Sequence, residues 1–295
     1  MRLLVRLVTA VLVLGTLVFA QEPGRSKNKD REQVAASAQA LAAVSTSRTL
    51  LATAACAFTF TSGANDTFVK YCVTANGNIT QFETPQFHEH LAVGVFGEGY
   101  GVCDLTTGAE YFDYAAFGDS ANWQPAVLVT QSPTLVKIVR TTNDRVWTLT
   151  QNITMVPGVS PSVKVAMALN NNTTADRQAL LLRYADVDAD STFINSLGAT
   201  SNSAFGWDPT VFANVGLRGN FGLTLQADAL AQQAAPNLGA QGFIQATPAG
   251  PSPCSPYAQM FAGLNPGADG SLVAIYELGV PARAGKNVSM IYKGM

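Results

Sequence analysis

Two consecutive segments alternate apolar and polar residues with a period of two, and this pattern constrains the fold more than any other feature of the chain. In 147–155, Trp147, Leu149, Ile153 and Met155 fall on one side with the polar Gln151 among them, and Thr148, Thr150, Asn152 and Thr154 fall on the other. In 163–170, Val163, Val165, Met167 and Leu169 alternate with Lys164, Ala166, Ala168 and Asn170. Successive side chains of a strand point to opposite faces, so each segment predicts a strand with one face on a core and one in water. Similar runs occupy 57–61, 66–74, 126–131, 134–140, 177–187, 220–226, 241–246, 271–278 and 287–292. Turn signals such as Ala75-Asn76-Gly77-Asn78 and Val156-Pro157-Gly158 separate many of them. No βαβ alternation interrupts the runs. The expected class is therefore all-β, an antiparallel β-sandwich occupying 55–295 as a single domain. Residues 188–219, rich in Ser, Asn, Gly and Asp, read as a long ordered loop, and 227–240 as a short helix or an insertion.

The start of the chain reads as an address. Arg2 and Arg6 precede an apolar run that ends in Val18-Phe19-Ala20, and Gln21-Glu22-Pro23-Gly24 breaks it. That order predicts a signal peptide over 1–20, hence a secreted protein, extracellular or periplasmic, with no transmembrane segment after cleavage. Residues 21–54 form a polar, then Ala-rich lead-in. Cys56, Cys72, Cys103 and Cys254 are an even number in an exported chain, which predicts two disulfides. A hairpin centred on Ala64 would set Cys56 opposite Cys72 and leave Cys103 to pair with Cys254. No C-x-x-C spacing favours zinc instead.

Hydrophobic residues make up 47% of the chain and charged residues 13%, which excludes disorder for most of it. Eighteen basic against 20 acidic residues leave no cationic excess for nucleic acid. His88 and His90 would share a face in an extended segment, but they lack a third ligand at a fixed spacing; one exposed and one hydrogen-bonded histidine is the preferred reading. Gly97-Glu98-Gly99-Tyr100-Gly101 lacks the sixth-position glycine of a dinucleotide loop. No G-x-S-x-G occurs. Glu83, Glu89, Glu98, Asp104, Glu110 and Asp113 are the candidates for a carboxylate pair. Tyr100, Tyr111, Tyr114, Trp123 and Trp207 are the candidates for stacking on sugars.

Asp186, Asp188 and Asp190 would share one face if the strand through Leu180, Leu182 and Tyr184 continued unbroken. The preferred reading is a strand end running out of the core into solvent; the alternative is a hard-cation site, calcium above all, with Asn195 or Asp208 completing it. Ser191 and Leu197 stand where an EF-hand loop needs glycine and glutamate. No other cofactor is expected. Six Asn-x-Ser/Thr triplets, at Asn65, Asn78, Asn152, Asn171, Asn172 and Asn287, read as exposed strand faces and turns.

Gly97-Glu98-Gly99-Tyr100 with Cys103-Asp104, Tyr111-Phe112-Asp113-Tyr114, Val146 to Gln151 and Arg183 to Asp188 together resemble a group of exported bacterial β-sandwich proteins. The resemblance spans 55–295 and brings no catalytic residues with it. More remotely, the long strands resemble the supersandwich of carbohydrate-active proteins. The expected role is binding or structural, directed at carbohydrate or another extracellular protein. The alternative is a carbohydrate-active enzyme with acidic residues in a sheet cleft.

Overall fold

The computed structural model describes residues 55–91, 97–115, 118–192, 195–199, 203–208, 222–227, 238–245, 251–255, 260–261, 265–268 and 270–294. All lie in one contact-defined unit, 47–295. The expected signal peptide and lead-in lie outside the described residues.

Strands β1 (Cys56–Ser62), β2 (Val69–Thr74) and β3 (Ile79–Glu83) form a three-stranded sheet. Strands β4 (Glu98–Asp104), β5 (Ala109–Tyr114) and β6 (Gly118–Asp119) form one side of a seven-stranded sheet. Strands β7 (Val127–Gln131), β8 (Leu135–Thr141), β9 (Trp147–Val156) and β10 (Ser162–Asn171) then run as a meander in a nine-stranded sheet. β11 (Arg177–Val187) returns to the seven-stranded sheet; β12 (Asn195–Ala199), β13 (Ser203–Trp207) and β14 (Gly222–Ala227) belong to the nine-stranded one. β15 (Leu238–Gln245), β16 (Met260–Phe261) and β18 (Gly270–Val280) complete the seven, and β17 (Asn265–Ala268) and β19 (Gly285–Gly294) the nine.

Spatial order in the large sheet is β17-β12-β13-β14-β19-β10-β9-β8-β7, and in the smaller one β16-β15-β18-β11-β4-β5-β6. Every described pairing is antiparallel, from β1 with β2 to β8 with β9. The protein is an all-β antiparallel sandwich. Among the described residues no helix is long and apolar enough to cross a membrane.

The alternation of β9 and β10 places Trp147, Leu149, Ile153, Val163, Val165 and Met167 in the core, against Val102, Leu181, Ala185 and Val187 of the opposing sheet. Interdigitation of two inner faces is what a sandwich core requires. β11 behaves differently. From Ala179 to Val187 it is buried on both faces, because a second cluster around Leu180, Leu182, Tyr184, Val273 and Ile275 covers its outer side. A strand buried on both faces shows no amphipathic alternation.

Both disulfides form, Cys56–Cys72 with Cα atoms 5.6 Å apart and Cys103–Cys254 at 4.9 Å. The expected hairpin register is not the one adopted. Cys72 stands opposite Thr59 and Cys56 opposite Thr74, with an irregularity between Cys56 and Phe58. The 3-10 turn Asn65–Thr67 moves the hairpin's centre towards β2, so the bridge runs diagonally between the strands. The region expected as a loop over 188–219 contains β12 and β13, and 238–245, partly assigned to a helix or insertion, is a strand.

Candidate functional site

The acids on the inner faces of β4 and β5 are committed to arginines. Arg183 of β11 is 0% exposed. Its Nε donates to Glu98 Oε1 at 2.5 Å and to the Tyr292 hydroxyl at 3.0 Å; its other nitrogens donate to Gln151 Oε1 at 2.6 Å and the Gly77 carbonyl at 3.1 Å. Tyr292 donates to the same Glu98 oxygen, and the Ile79 N–H reaches Oε2 at 2.5 Å. Burial pushes the Glu98 pKa up, while the Arg183 guanidinium, the Tyr292 hydroxyl and the Ile79 N–H pull it back. The same pair raises the pKa of Arg183, so the guanidinium stays charged.

The β2–β3 turn closes this network. Gly77, at φ 92°, lies so close to Gln151 that a Cβ would sit 2.5 Å from its Nε2. The Asn76 carbonyl accepts from the Tyr100 hydroxyl and from Gln151, and the Asn78 amide donates to the carbonyls of Glu98 and Asp113. A Cβ on Gly99 would meet the Asp113 carbonyl at 1.9 Å, which is why β4 carries glycine there rather than for a phosphate. Beside it, Arg140 holds Asp113 at 2.6 Å and Asp119 at 2.5 Å. Asp104 accepts from Arg177 and from the Trp147 indole.

The remaining candidate acids also take part in local contacts, although among the described residues Glu89 keeps one buried oxygen, Oε2, without a hydrogen-bond partner, and burial pushes its pKa up. Glu83 pairs with Lys70 and accepts from the Phe87 N–H. Glu89 accepts from the N–H groups of Phe82 and Leu91. Glu110 accepts from Ser252 and the Cys254 N–H, under the second disulfide. A hydrolytic pair needs two carboxyls facing one another across an open scissile bond, and these six are distributed over separate structural contacts.

The strand through Tyr184 does not continue through the three aspartates. β11 ends at Val187, and the turn Ala189–Ser191 follows, with Asp190 in the left-handed region at φ 54°. The premise of one shared face therefore fails. Asp186, buried, accepts from Ser271, whereas Asp190 faces His88 at 2.7 Å. The amide of Asn195 is spent on the Val187 and Thr192 carbonyls. Among the described residues no three His, Cys, Asp or Glu side chains are grouped to hold a metal. His90 is buried: Nε2 donates to the Thr84 carbonyl at 2.7 Å and Nδ1 accepts from the Asp190 N–H. Burial pushes its pKa down to about 4. Two of the sequon asparagines, Asn78 and Asn171, are buried hydrogen-bond donors rather than exposed residues, because their amides bridge carbonyls of neighbouring strands.

The aromatic candidates separate cleanly. Tyr100, Tyr111, Tyr114 and Trp123 are buried. Trp207 is partly exposed, and its ring stacks on Phe205 with centroids 5.7 Å apart and planes at 27°. Ala204 and Gly206, between and before them, face inward; a Cβ on Gly206 would touch Leu197 and Val187. The period of two therefore turns Phe205 and Trp207 to the outer face of the large sheet. Small residues flank them. Trp207 lies opposite Ser196 and Gly222, and Phe205 opposite Gly198 and Thr224. Thr224 in turn lies opposite Lys293, and Ser203 opposite Gln226. The result is a platform of two stacked, partly exposed rings bordered by hydroxyl, amide and ammonium groups. The F-x-W spacing inside Ser203–Trp207 was the available signal for Phe205.

No protein-family model matches the chain, and no curated protein sequence matches it. Solved structures do. A bacterial glucoamylase complexed with acarbose superposes with a TM-score of 0.53 at 12% identity, over 82% of this chain and 32% of that one. The two share a fold. This chain spans about a third of the glucoamylase's length. A galactose mutarotase related enzyme from Lactobacillus acidophilus (TM-score 0.41, 8% identity, 81% of this chain and 97% of that chain) and a kojibiose phosphorylase described from the human microbiome (TM-score 0.42, 9% identity, 82% and 30%) also match.

Proposed function

We propose that this chain is an exported, disulfide-bridged β-sandwich that binds carbohydrate through the Phe205–Trp207 platform and does not hydrolyse it. The platform carries the proposal. A ring face offers a flat apolar surface with negative quadrupole to the weakly positive C–H face of a sugar ring, and polar groups at the border supply direction. Thr224, Gln226 and Lys293 stand at that border. The commitment of Glu98 and Asp113 to buried arginines, and of Asp104 to the partly exposed Arg177, supports binding over hydrolysis. Export is supported by the charged-then-apolar start of the chain and by two disulfides, which persist in oxidising compartments. The fold shared with a glucoamylase is compatible with a carbohydrate role and does not by itself assign one.

The test is affinity electrophoresis in gels containing soluble starch, xylan, mixed-linkage β-glucan or galactomannan, with release of reducing ends measured in parallel. Retardation in at least one gel, lost in Trp207→Ala and without release of reducing ends, is the expected result. Reducing-end release that survives purification would favour the enzyme instead. Retardation in none of the gels would remove the carbohydrate reading and favour a protein partner.

A further inference from the structure

The two large sheets differ in charge. The described strands of the seven-stranded sheet carry acids from Glu98 to Glu277, whereas those of the nine-stranded sheet carry lysines, one arginine and no acid. The chain as a whole has 18 basic and 20 acidic residues, so the segregation comes from the fold and not from composition. Arg140 points inward and is held by Asp113 and Asp119. Lys137, Lys164 and Lys293 point the other way. Their neighbours Val136, Ile138, Val163, Val165 and Tyr292 lie in the core, so the period of two turns these three lysines to the outer face. Lys293 is exposed and Lys137 half-buried. Among the described residues neither of these two is in an ion pair.

This is the face that bears the two rings, and strand register connects them to the lysines. Phe205 lies opposite Thr224, Thr224 opposite Lys293, and Lys293 opposite Ser162, so these four share one row and one face. Two residues along β10 from Ser162 stands Lys164, opposite Thr154; two residues along β9 from Thr154 stands Asn152, opposite Lys137. The row therefore steps diagonally across the sheet. With strands spaced about 4.8 Å apart, Lys293 stands about 10 Å and Lys137 about 24 Å from Phe205 across the sheet. Thr150, Asn152 and Thr154 present hydroxyl and amide groups on the same face, and Ala166 and Ala168 add no bulk to it. A surface of rings, neutral hydrogen-bonding groups and separated ammonium groups matches an extended chain of sugars that carries occasional negative charges. Lysine meets such charges as a point charge on a flexible stem, without the fixed fork of arginine.

We propose that the outer face of the nine-stranded sheet takes a polysaccharide bearing uronic-acid carboxylates, with sugar rings stacked on Phe205 and Trp207 and carboxylates reaching Lys293 and Lys137. The inference rests on the platform reading and names its ligand class by charge complementarity. The probe is a glucuronic-acid-substituted xylan, compared with the same xylan after its carboxyl groups have been reduced to neutral alcohols, in affinity gels and by titration. The wild type should bind the reduced xylan roughly three- to tenfold more weakly than the native one, and binding to the native one should weaken as salt is raised. Lys137→Gln should lower affinity for the native xylan roughly two- to fivefold, leave affinity for the reduced xylan and the melting temperature unchanged, and be rescued by Lys137→Arg. Equal wild-type affinity for the two xylans, with binding lost in Trp207→Ala, would overturn the carboxylate contact and leave the platform standing. A loss in Lys137→Gln that is equal for both xylans would also overturn it. Tight binding to dextran sulfate that survives Trp207→Ala would overturn it too, because charge alone would then suffice. Retardation by a neutral polysaccharide but not by the native xylan would overturn the ligand class alone, and retardation by none would overturn both readings.

Discussion

Replacing Arg183 by methionine tests whether the interior acids are structural. The change removes four donor contacts, to Glu98, Tyr292, Gln151 and Gly77, from a residue with no solvent exposure. Breaking a buried ion pair by deleting one partner costs about 3–5 kcal/mol, because the other charge stays buried. The stranded Gly77 carbonyl adds roughly 1–3 kcal/mol, partly overlapping. A total near 5 kcal/mol is a large fraction of the ~5–15 kcal/mol that holds an ordinary domain together, and corresponds to a fall in Tm of roughly 10–20 °C for a domain of this size. Urea unfolding followed by circular dichroism measures it. Without the guanidinium, the Glu98 carboxyl takes up a proton more readily when folded than when unfolded. Its folded pKa then lies above its unfolded one, so the penalty should be smallest below the unfolded value and grow as pH rises through the folded one. Adding Glu98→Gln should recover most of the loss, since a buried pair replaced on both sides is often near neutral. A single variant within about 1 kcal/mol of wild type, or a double variant as unstable as the sum of the two singles, would refute the reasoning.

Gly77→Ala should cost about 2 kcal/mol in the same assay, from its left-handed backbone and the contact with Gln151. His90, pushed down to about 4 by burial, binds fewer protons folded than unfolded between pH 4 and about 6.5, so its contribution weakens stability as pH falls through that window, by up to about 3 kcal/mol. Asp113, pushed up to about 6 by burial against the pull of Arg140, acts with the opposite sign and weakens stability as pH rises from about 4 to 6. Across pH 4–6, unfolding curves of His90→Gln should therefore lean towards stability at low pH, and those of Asp113→Asn towards stability at high pH. Cys254→Ser opens a bridge across 151 residues and should cost about 5 kcal/mol in the chain-entropy model, against about 3 kcal/mol for Cys72→Ser with its separation of 16; thermal melts compare the two.

Where one face of a strand meets water, the sequence made the structure legible. Trp147 to Met155 and Val163 to Leu169 alternate as β9 and β10 do. Even Gln151, the polar residue on the apolar side, marks the position that receives Arg183. β11 lies where the run 177–187 was expected, but its two faces were not told apart because both are covered, so Arg183 and Tyr184 look alike in pattern although they point to opposite sides. The pairing of Glu98 with Arg183 joins residues 85 positions apart, and no local spacing announces it; the acids consequently looked available for chemistry. Asp186 to Asp190 followed the period of two until the turn at Ala189 broke it, a change carried by left-handed backbone at Asp190 and Ser191 that aspartate and serine alone do not signal. Trp207 was recognised as a sugar-stacking candidate, while its strand was hidden by its small residues, Ser203 on the outer face and Ala204 and Gly206 on the inner one.

The central claim, that carbohydrate sits on the Trp207 platform, is tested most directly by acrylamide quenching of tryptophan fluorescence. The chain has three tryptophans; Trp147 is 0% and Trp123 6% exposed, which leaves Trp207 as the quenchable one. In the absence of ligand a minor fraction of the emission should be accessible to acrylamide, and Trp207→Phe should abolish that fraction. Titrating the polysaccharide that retards the protein should protect the accessible fraction in a saturable way, at the concentration that retards migration. Quenching that stays the same at saturating polysaccharide would contradict the account.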